Sequence, residues 1–124
     1  MADPRHLLGI SAENATAAWL QASGWTLLAR RYRSAAGSEV DLVLLDTDRI
    51  LVGVEVRART SHRAGAPEET VDPRRAARIA RSVVAFAVEA GVRHVGLRVD
   101  LVAVTPAPAG GRRLMLRRVP DIAG

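Results

Sequence analysis

The sequence predicts one α/β domain in which a mixed β-sheet lies between helices, with the element order α-β-β-β-α-β. Two segments have apolar residues at helical spacing, and four segments are short runs rich in Val and Leu. The 124 residues are 48% apolar and 25% charged, which suits one folded domain. We therefore expect a single domain over residues 1–124, with a core over about 9–104 and a basic C-terminal extension over about 105–124.

The first half of the chain predicts a helix followed by three strands. Ser11 is a plausible N-cap and Gly24 fits the position after a helix, so the first helix is expected at about residues 12–23. The strands are expected at about residues 25–32, 39–45 and 50–59, where β-branched and leucine residues concentrate. Because the short turn "DTDR" separates the second and third strands, we expect an antiparallel meander.

The second half predicts one long helix and at least one more strand. Asp72 and Pro73 form a helix start, and Gly91 ends it. The residues expected on the buried face recur every three or four positions: Ala76, Ile79, Val83, Phe86 and Ala90. A strand is expected at about residues 95–104, and "RRLMLRRV" can add an edge strand.

The charge composition favours a polyanionic partner. The net charge is +5, and all 18 basic residues are Arg. A genome whose codons favour Arg would produce the same bias without any such partner, so both explanations stay open. The chain has no Cys, and its three His show no metal-ligand spacing. No signal peptide or membrane span is evident, so we expect a cytoplasmic protein without a membrane partner.

Charged pairs at alternate positions interrupt two of the apolar strands. Glu39 and Asp41 precede the second strand's leucines, and Glu55 and Arg57 lie within the third strand. Alternate residues share one face of a strand, so pairing of these strands would bring four charges together. Carboxylate oxygens are the ligands that Mg²⁺ and Mn²⁺ prefer, and a cation beside a positive side chain suits phosphodiester hydrolysis.

The alternative is that these charges only form the solvated face of an antiparallel meander. Two features favour a site instead. The charged pairs fall on consecutive strands, and Glu55 is surrounded in sequence by Leu51, Val52, Val54 and Val56, as in a central strand.

Five segments resemble the YraN family, small bacterial proteins related to Holliday-junction resolvases and to the PD-(D/E)xK nucleases. They are "GISAENATAAWLQASGW", "RRYRSAAGSEVDLVLLD", "ILVGVEVRART", "GAPEETVDPRRAARI" and "RVDLVAV", which together span about residues 9–104. The resemblance implies a restriction-endonuclease-like fold.

The resemblance also implies which residues carry the chemistry. Asp41 and Glu55 would bind Mg²⁺ or Mn²⁺, with the Val56 carbonyl as a further ligand. Glu13 would approach the same site from the first helix, and Glu39 would assist. Asp100 matches the acidic residue of an R-F-D motif in the following strand, and Arg75 stands about where the later helix has a Lys.

This chain departs from the family pattern at several positions. One residue, Ser38, is inserted before Glu39 in the family's G-E motif, Arg31 replaces a usual Asn, and Gly53 replaces an aromatic residue. Arg57 stands where the family has its catalytic-type Lys. Arg stays protonated, so Arg57 can contact a phosphate through its planar fork but cannot accept a proton from water.

The function expected from these residues is a metal-dependent endonuclease acting on DNA, with branched or structured DNA as candidate substrates. Six arginines are candidates for phosphate contacts: Arg33, Arg59, Arg63, Arg74, Arg75 and Arg78. Resolvases that cut symmetric junctions need two active sites, so the resemblance implies a homodimer. The competing hypothesis is a catalytically inactive nucleic-acid-binding or protein-interaction module on a nuclease fold.

Overall fold

The computed structural model describes residues 4–35, 37–59, 72–108 and 113–123, and of residues 4–8 only the backbone. It contains two helices, α1 (Pro4–Ala22) and α2 (Pro73–Ala90). The strands are β1 (Thr26–Tyr32), β2 (Val40–Leu45), β3 (Ile50–Ala58), β4 (Gly96–Pro106) and β5 (Leu114–Val119). The predicted element order is confirmed, and the C-terminal segment does add an edge strand.

The five strands form one mixed sheet in the order β1-β2-β3-β4-β5. The β1-β2 and β2-β3 pairs are antiparallel, as expected for a meander. The β4-β5 pair is also antiparallel, whereas β3 and β4 are parallel. A parallel pair requires a crossover connection, which here contains α2. The α/β architecture with helices flanking a mixed sheet is thus confirmed, and it is consistent with a restriction-endonuclease-like fold.

Each helix covers a different face of the sheet. One core cluster joins Ala12, Ala17 and Leu20 of α1 to alternate residues of the strands, such as Leu42 and Val54. The second cluster joins α2 to Val40, Val43, Leu51 and Val99. Because both faces are covered, the central strands are apolar on both sides, and a charged residue within them stands out.

The start of α1 is a correction to the sequence prediction. The helix begins at Pro4 rather than near residue 12, so Ser11 is an exposed residue inside the helix and not its cap. Pro is favoured in the first helical turn, where its missing N–H has no partner to lose. A serine and a glycine within a helix each weaken it by no more than about 1 kcal/mol, so neither ends it.

The bounds of α2 are those expected from its capping residues. The Asp72 side chain accepts a hydrogen bond from the Arg74 N–H, and Gly91 ends the helix in the left-handed conformation with φ 63°. The predicted buried face is right except for its last member, because Ala90 is exposed. Ser82, which the apolar pattern did not include, is fully buried.

A buried ionic cluster attaches β5 to the sheet. Asp100 has no exposed surface, and its carboxylate accepts hydrogen bonds from Arg98, Arg118 and the Asp121 N–H at 2.9 to 3.2 Å. The guanidinium groups of Arg98 and Arg118 lie 5.4 and 5.2 Å from the centre of the Trp25 ring. These contacts give Asp100, the acidic residue of the "RVD" segment, a structural role. Among the described residues, no helix is long and apolar enough to cross a membrane.

Candidate functional site

The site begins where β2 and β3 separate. Their paired register runs from Leu45 and Leu51 to Leu42 and Val54. The next pair in the same register would join Asp41 to Glu55, but the Val56 N–H instead donates a hydrogen bond to Asp41 Oδ2 at 2.7 Å. A side-chain carboxylate therefore takes the place of a ladder contact, and the main chain of β3 fixes its position.

Glu55 lies between its own strand and the first turn of α2. Its residue is only 7% exposed, and Arg75 Nε donates a short hydrogen bond to Glu55 Oε1. Arg57 Nη2 lies 4.0 Å from the same oxygen. The prediction that Glu55 and Arg57 share a strand face is confirmed. The pairing of Glu55 with Arg75, 20 residues further along the chain, was not part of the sequence prediction.

Asp41 is the acidic residue of this region that has no salt bridge to a described residue. Burial raises its pKa to about 6, and the nearby carboxylates of Glu13 and Glu55 act in the same direction. The Val56 N–H and the charge of Arg75 oppose this rise without cancelling it. The negative charge of the ionised Asp41 is thus disfavoured mainly by burial, and a bound cation would favour the ionised form.

Glu13 and Glu39 each pair with an arginine near β1. Glu13 Oε1 lies 3.3 Å from Arg31 Nε, and Glu39 Oε2 lies 3.5 Å from Arg33 Nη2. The charge of Glu13 raises the pKa of Asp41, whereas no such effect of Glu39 on Asp41 is found. Glu39 also precedes β2 by one residue. Glu13 therefore belongs electrostatically to the Asp41 region, and Glu39 lies at its edge.

A comparison of the sequence with known protein families identifies the family of this chain. The model of Uncharacterised protein family UPF0102 matches residues 12–104. The chain belongs to the UPF0102 family. The resemblance to the YraN family is thereby confirmed, and a relation to nucleases is consistent with it.

Several UPF0102 proteins are similar over most of their length. One from Anaeromyxobacter dehalogenans is 44% identical over 103 residues, covering 83% of this chain and 75% of that protein. One from Symbiobacterium thermophilum is 37% identical over 109 residues, covering 88% of this chain and 91% of that protein. One from Anaeromyxobacter sp. is 37% identical over 123 residues, covering 99% of this chain and 91% of that protein.

Two departures of this UPF0102 chain from the family pattern have a structural explanation. Arg31 has φ 49°, a left-handed conformation that Asn tolerates better than most residues, and its guanidinium instead gains the contacts to Glu13. Gly53 packs so closely against Val83 that a Cβ there would clash with the valine methyl. Val83 of α2 therefore lies close against the backbone at the position where the family has an aromatic residue.

Contacts that the sequence did not predict anchor the segment that precedes Asp41. Ser82 Oγ donates to the Ser38 carbonyl at 2.6 Å, and Arg78 Nε donates to Ser38 Oγ at 3.1 Å. Gly37 packs against the Arg78 carbonyl and Ser82, with no room for a side chain. A serine at a buried position of α2 was the available signal, because a buried hydroxyl requires a partner.

The predicted phosphate-binding arginines are placed unequally. Arg74, Arg75 and Arg78 lie on the first two turns of α2, where Arg75 contacts Glu55 directly. Arg33 is exposed and pairs with Glu39, and Arg59 follows β3, its N–H bonded to the Val104 carbonyl. Arg63 lies outside the described residues.

The donor set agrees with a hard cation rather than a closed metal cage. In the part of the chain that the structure describes, no group of three or more His, Cys, Asp or Glu side chains is close enough to hold a metal. Asp41 and Glu55 supply two carboxylates, and Mg²⁺ commonly binds through one or two carboxylates and keeps several waters. The residues present therefore fit Mg²⁺ or Mn²⁺, provided that Glu55 is released from Arg75.

Proposed function

We propose that this UPF0102 protein is a metal-dependent nuclease that acts on DNA, with branched or structured DNA as its candidate substrate. The observation that carries the proposal is the partly buried Asp41 carboxylate, which has no salt bridge among the described residues and lies near Glu55 and Arg75. Burial of an acid without a salt bridge costs stability, and sites that bear such a cost are often functional.

The side chains have distinct roles in this proposal. Asp41 and Glu55 hold the cation, and Arg57 contacts the phosphate by a charge-assisted hydrogen bond. When bound, Mg²⁺ or Mn²⁺ would stabilise the negative charge that develops on the phosphate. In the reaction, water adds to phosphorus, one P–O ester bond breaks, and the leaving oxygen takes up a proton.

The arginine at position 57 limits the mechanism. A guanidinium with a pKa above about 12 does not take a proton from water, so Arg57 contributes charge and position only. A second water or a carboxylate must accept that proton. Glu39 is a candidate named from the sequence, but its present partner is Arg33 at 3.5 Å.

The experiment is a cleavage assay with branched and linear DNA in Mg²⁺ or Mn²⁺. We expect cleavage by the wild-type protein, and its loss in Asp41→Asn, which keeps the shape of the side chain and removes its charge. Asp48→Asn is the matched control, because Asp48 is an exposed aspartate in the β2-β3 turn. Cleavage that persists in Asp41→Asn would contradict the proposal.

A second candidate function is a nucleic-acid-binding module without catalysis. It is favoured by the contact between Arg75 and Glu55, which already neutralises one of the two carboxylates without a metal. This function predicts that DNA binding by the wild-type protein is independent of divalent cations and that no cleavage occurs. Equal DNA affinity with Mg²⁺ and with a chelator, together with intact DNA, would select it.

A further inference from the structure

Arg75 occupies a position where a positive side chain is not favoured by its own helix. It lies in the first turn of α2, whose positive dipole end repels cations, and that turn contains no acidic residue. The hydrogen bond to Glu55 raises the pKa of Arg75. The side chain is therefore held by Glu55 rather than by the helix.

The guanidinium and a divalent cation compete for the same carboxylate. Arg75 Nε donates to Glu55 Oε1, and Arg75 also acts electrostatically on Asp41. A Mg²⁺ ion needs ligand oxygens at about 2.0 to 2.1 Å and would repel a guanidinium that remained on its ligand. A cation that takes Glu55 Oε1 as a ligand would therefore displace Arg75.

The structure leaves Arg75 able to move. Its side chain is 40% exposed, whereas that of Arg57 is 19% exposed and lies on the same strand as Glu55. Arg75 comes from another element, and Arg74 and Arg78 lie within one turn of it on α2. A phosphate group that approached this end of the helix would offer Arg75 an alternative anionic partner.

We propose that Arg75 is a removable counterion that couples metal binding to DNA binding. In the free protein it neutralises Glu55; when DNA binds, a phosphate draws Arg75 away and the carboxylates accept the cation. This inference rests on the proposed metal-dependent function. It adds that the protein alone binds the cation weakly and that the protein with DNA binds it more tightly. Linkage requires that the cation strengthens DNA binding by the same factor.

The test measures Mn²⁺ affinity by electron paramagnetic resonance, with and without a short DNA duplex whose own Mn²⁺ binding is measured separately. For the wild-type protein, we expect DNA to raise the affinity by about tenfold, within the usual range of coupling between sites. Arg75→Gln should raise the affinity of the free protein by a similar factor, and DNA should then add little. Arg75→Lys keeps a charge but loses the planar fork, so its affinity should lie between the two.

Arg81→Gln is the matched control, because Arg81 is an exposed arginine of the same helix and contacts neither carboxylate. It should bind Mn²⁺ as the wild-type protein does. Equal Mn²⁺ affinity of the wild-type, Arg75→Gln and Arg75→Lys proteins would overturn the role of Arg75 and leave the metal site standing. Absence of Mn²⁺ binding in all of them, or undiminished binding in Asp41→Asn, would overturn the metal site and this inference with it.

Discussion

Replacement of Asp41 by Asn should stabilise the metal-free protein at neutral and basic pH. The carboxylate is partly buried beside Glu13 and Glu55, and these surroundings raise its pKa from 3.8 to about 6. The amide of Asn carries no charge, and its oxygen can still accept the hydrogen bond from the Val56 N–H, which is 2.7 Å long in the wild-type protein. The substitution therefore removes the electrostatic cost and keeps the backbone contact.

The size and the pH dependence of the effect follow from the pKa. Each pKa unit corresponds to about 1.4 kcal/mol, so ionisation of Asp41 above pH 6 costs up to ~3 kcal/mol. The folded state binds this proton more tightly than the unfolded state. The contribution of Asp41 to stability is therefore fully present below pH 3.8, falls as the pH rises, and is lost above about 6.

Urea unfolding of both proteins at pH 4 and pH 8, in the presence of a chelator, measures this difference. Asp41→Asn should gain ~2 to 3 kcal/mol at pH 8 and little at pH 4, with an unchanged dependence on urea. Asp48→Asn, the exposed control, should change stability by less than about 0.5 kcal/mol at either pH. A variant that is equally stable or less stable than the wild-type protein at pH 8 would refute the electrostatic reasoning.

Three further predictions concern the buried cluster, the packing of α2 and the basic helix start. Asp100→Asn should destabilise the fold by about 3 kcal/mol in urea unfolding, because two arginines lose a buried partner; a loss below about 1 kcal/mol would contradict this. Gly53→Ala should cost about 1 to 3 kcal/mol, measured in the same way, because the new Cβ clashes with Val83; an unchanged stability would show that α2 can shift freely. The double substitution Arg74→Ala with Arg78→Ala should weaken DNA binding. The slope of the logarithm of the binding constant against the logarithm of the salt concentration should become less steep by about 0.9 per lost phosphate contact, measured by affinity titrations at several salt concentrations. An unchanged slope would show that these residues do not contact the DNA phosphates.

The sequence predicted the elements well where short-range signals coincide. The Asp72-Pro73 start and the Gly91 end bound α2 correctly, and the β-branched runs locate the strands to within one or two residues. Capping residues and alternating patterns act over a few positions, so they are readable without the fold. The start of α1 was wrong for the same reason, since Ser11 has the form of a cap but lies within a helix that starts earlier.

The sequence also predicts a charged site, through Asp41, Glu55 and Arg57 on consecutive strands and through the family resemblance. It did not indicate which charges neutralise one another. Glu55 contacts Arg75 of α2 as well as Arg57 of its own strand. Asp41 has no salt bridge among the described residues, and Glu39 pairs with Arg33. The pairing of Glu55 with Arg75 depends on how the first turn of α2 lies against β3.

The sequence by itself therefore determined the order of the elements, the apolar and charged positions along each strand, and membership in one family. Only the tertiary structure decided that the pairing of β2 with β3 stops before Asp41 and that Arg75 of α2 contacts Glu55 there. The physical reason is distance along the chain. Residues 15 and 20 positions apart form these contacts, and their geometry is fixed by the pairing of β2 with β3 and by the packing of α2 on the sheet rather than by any local pattern.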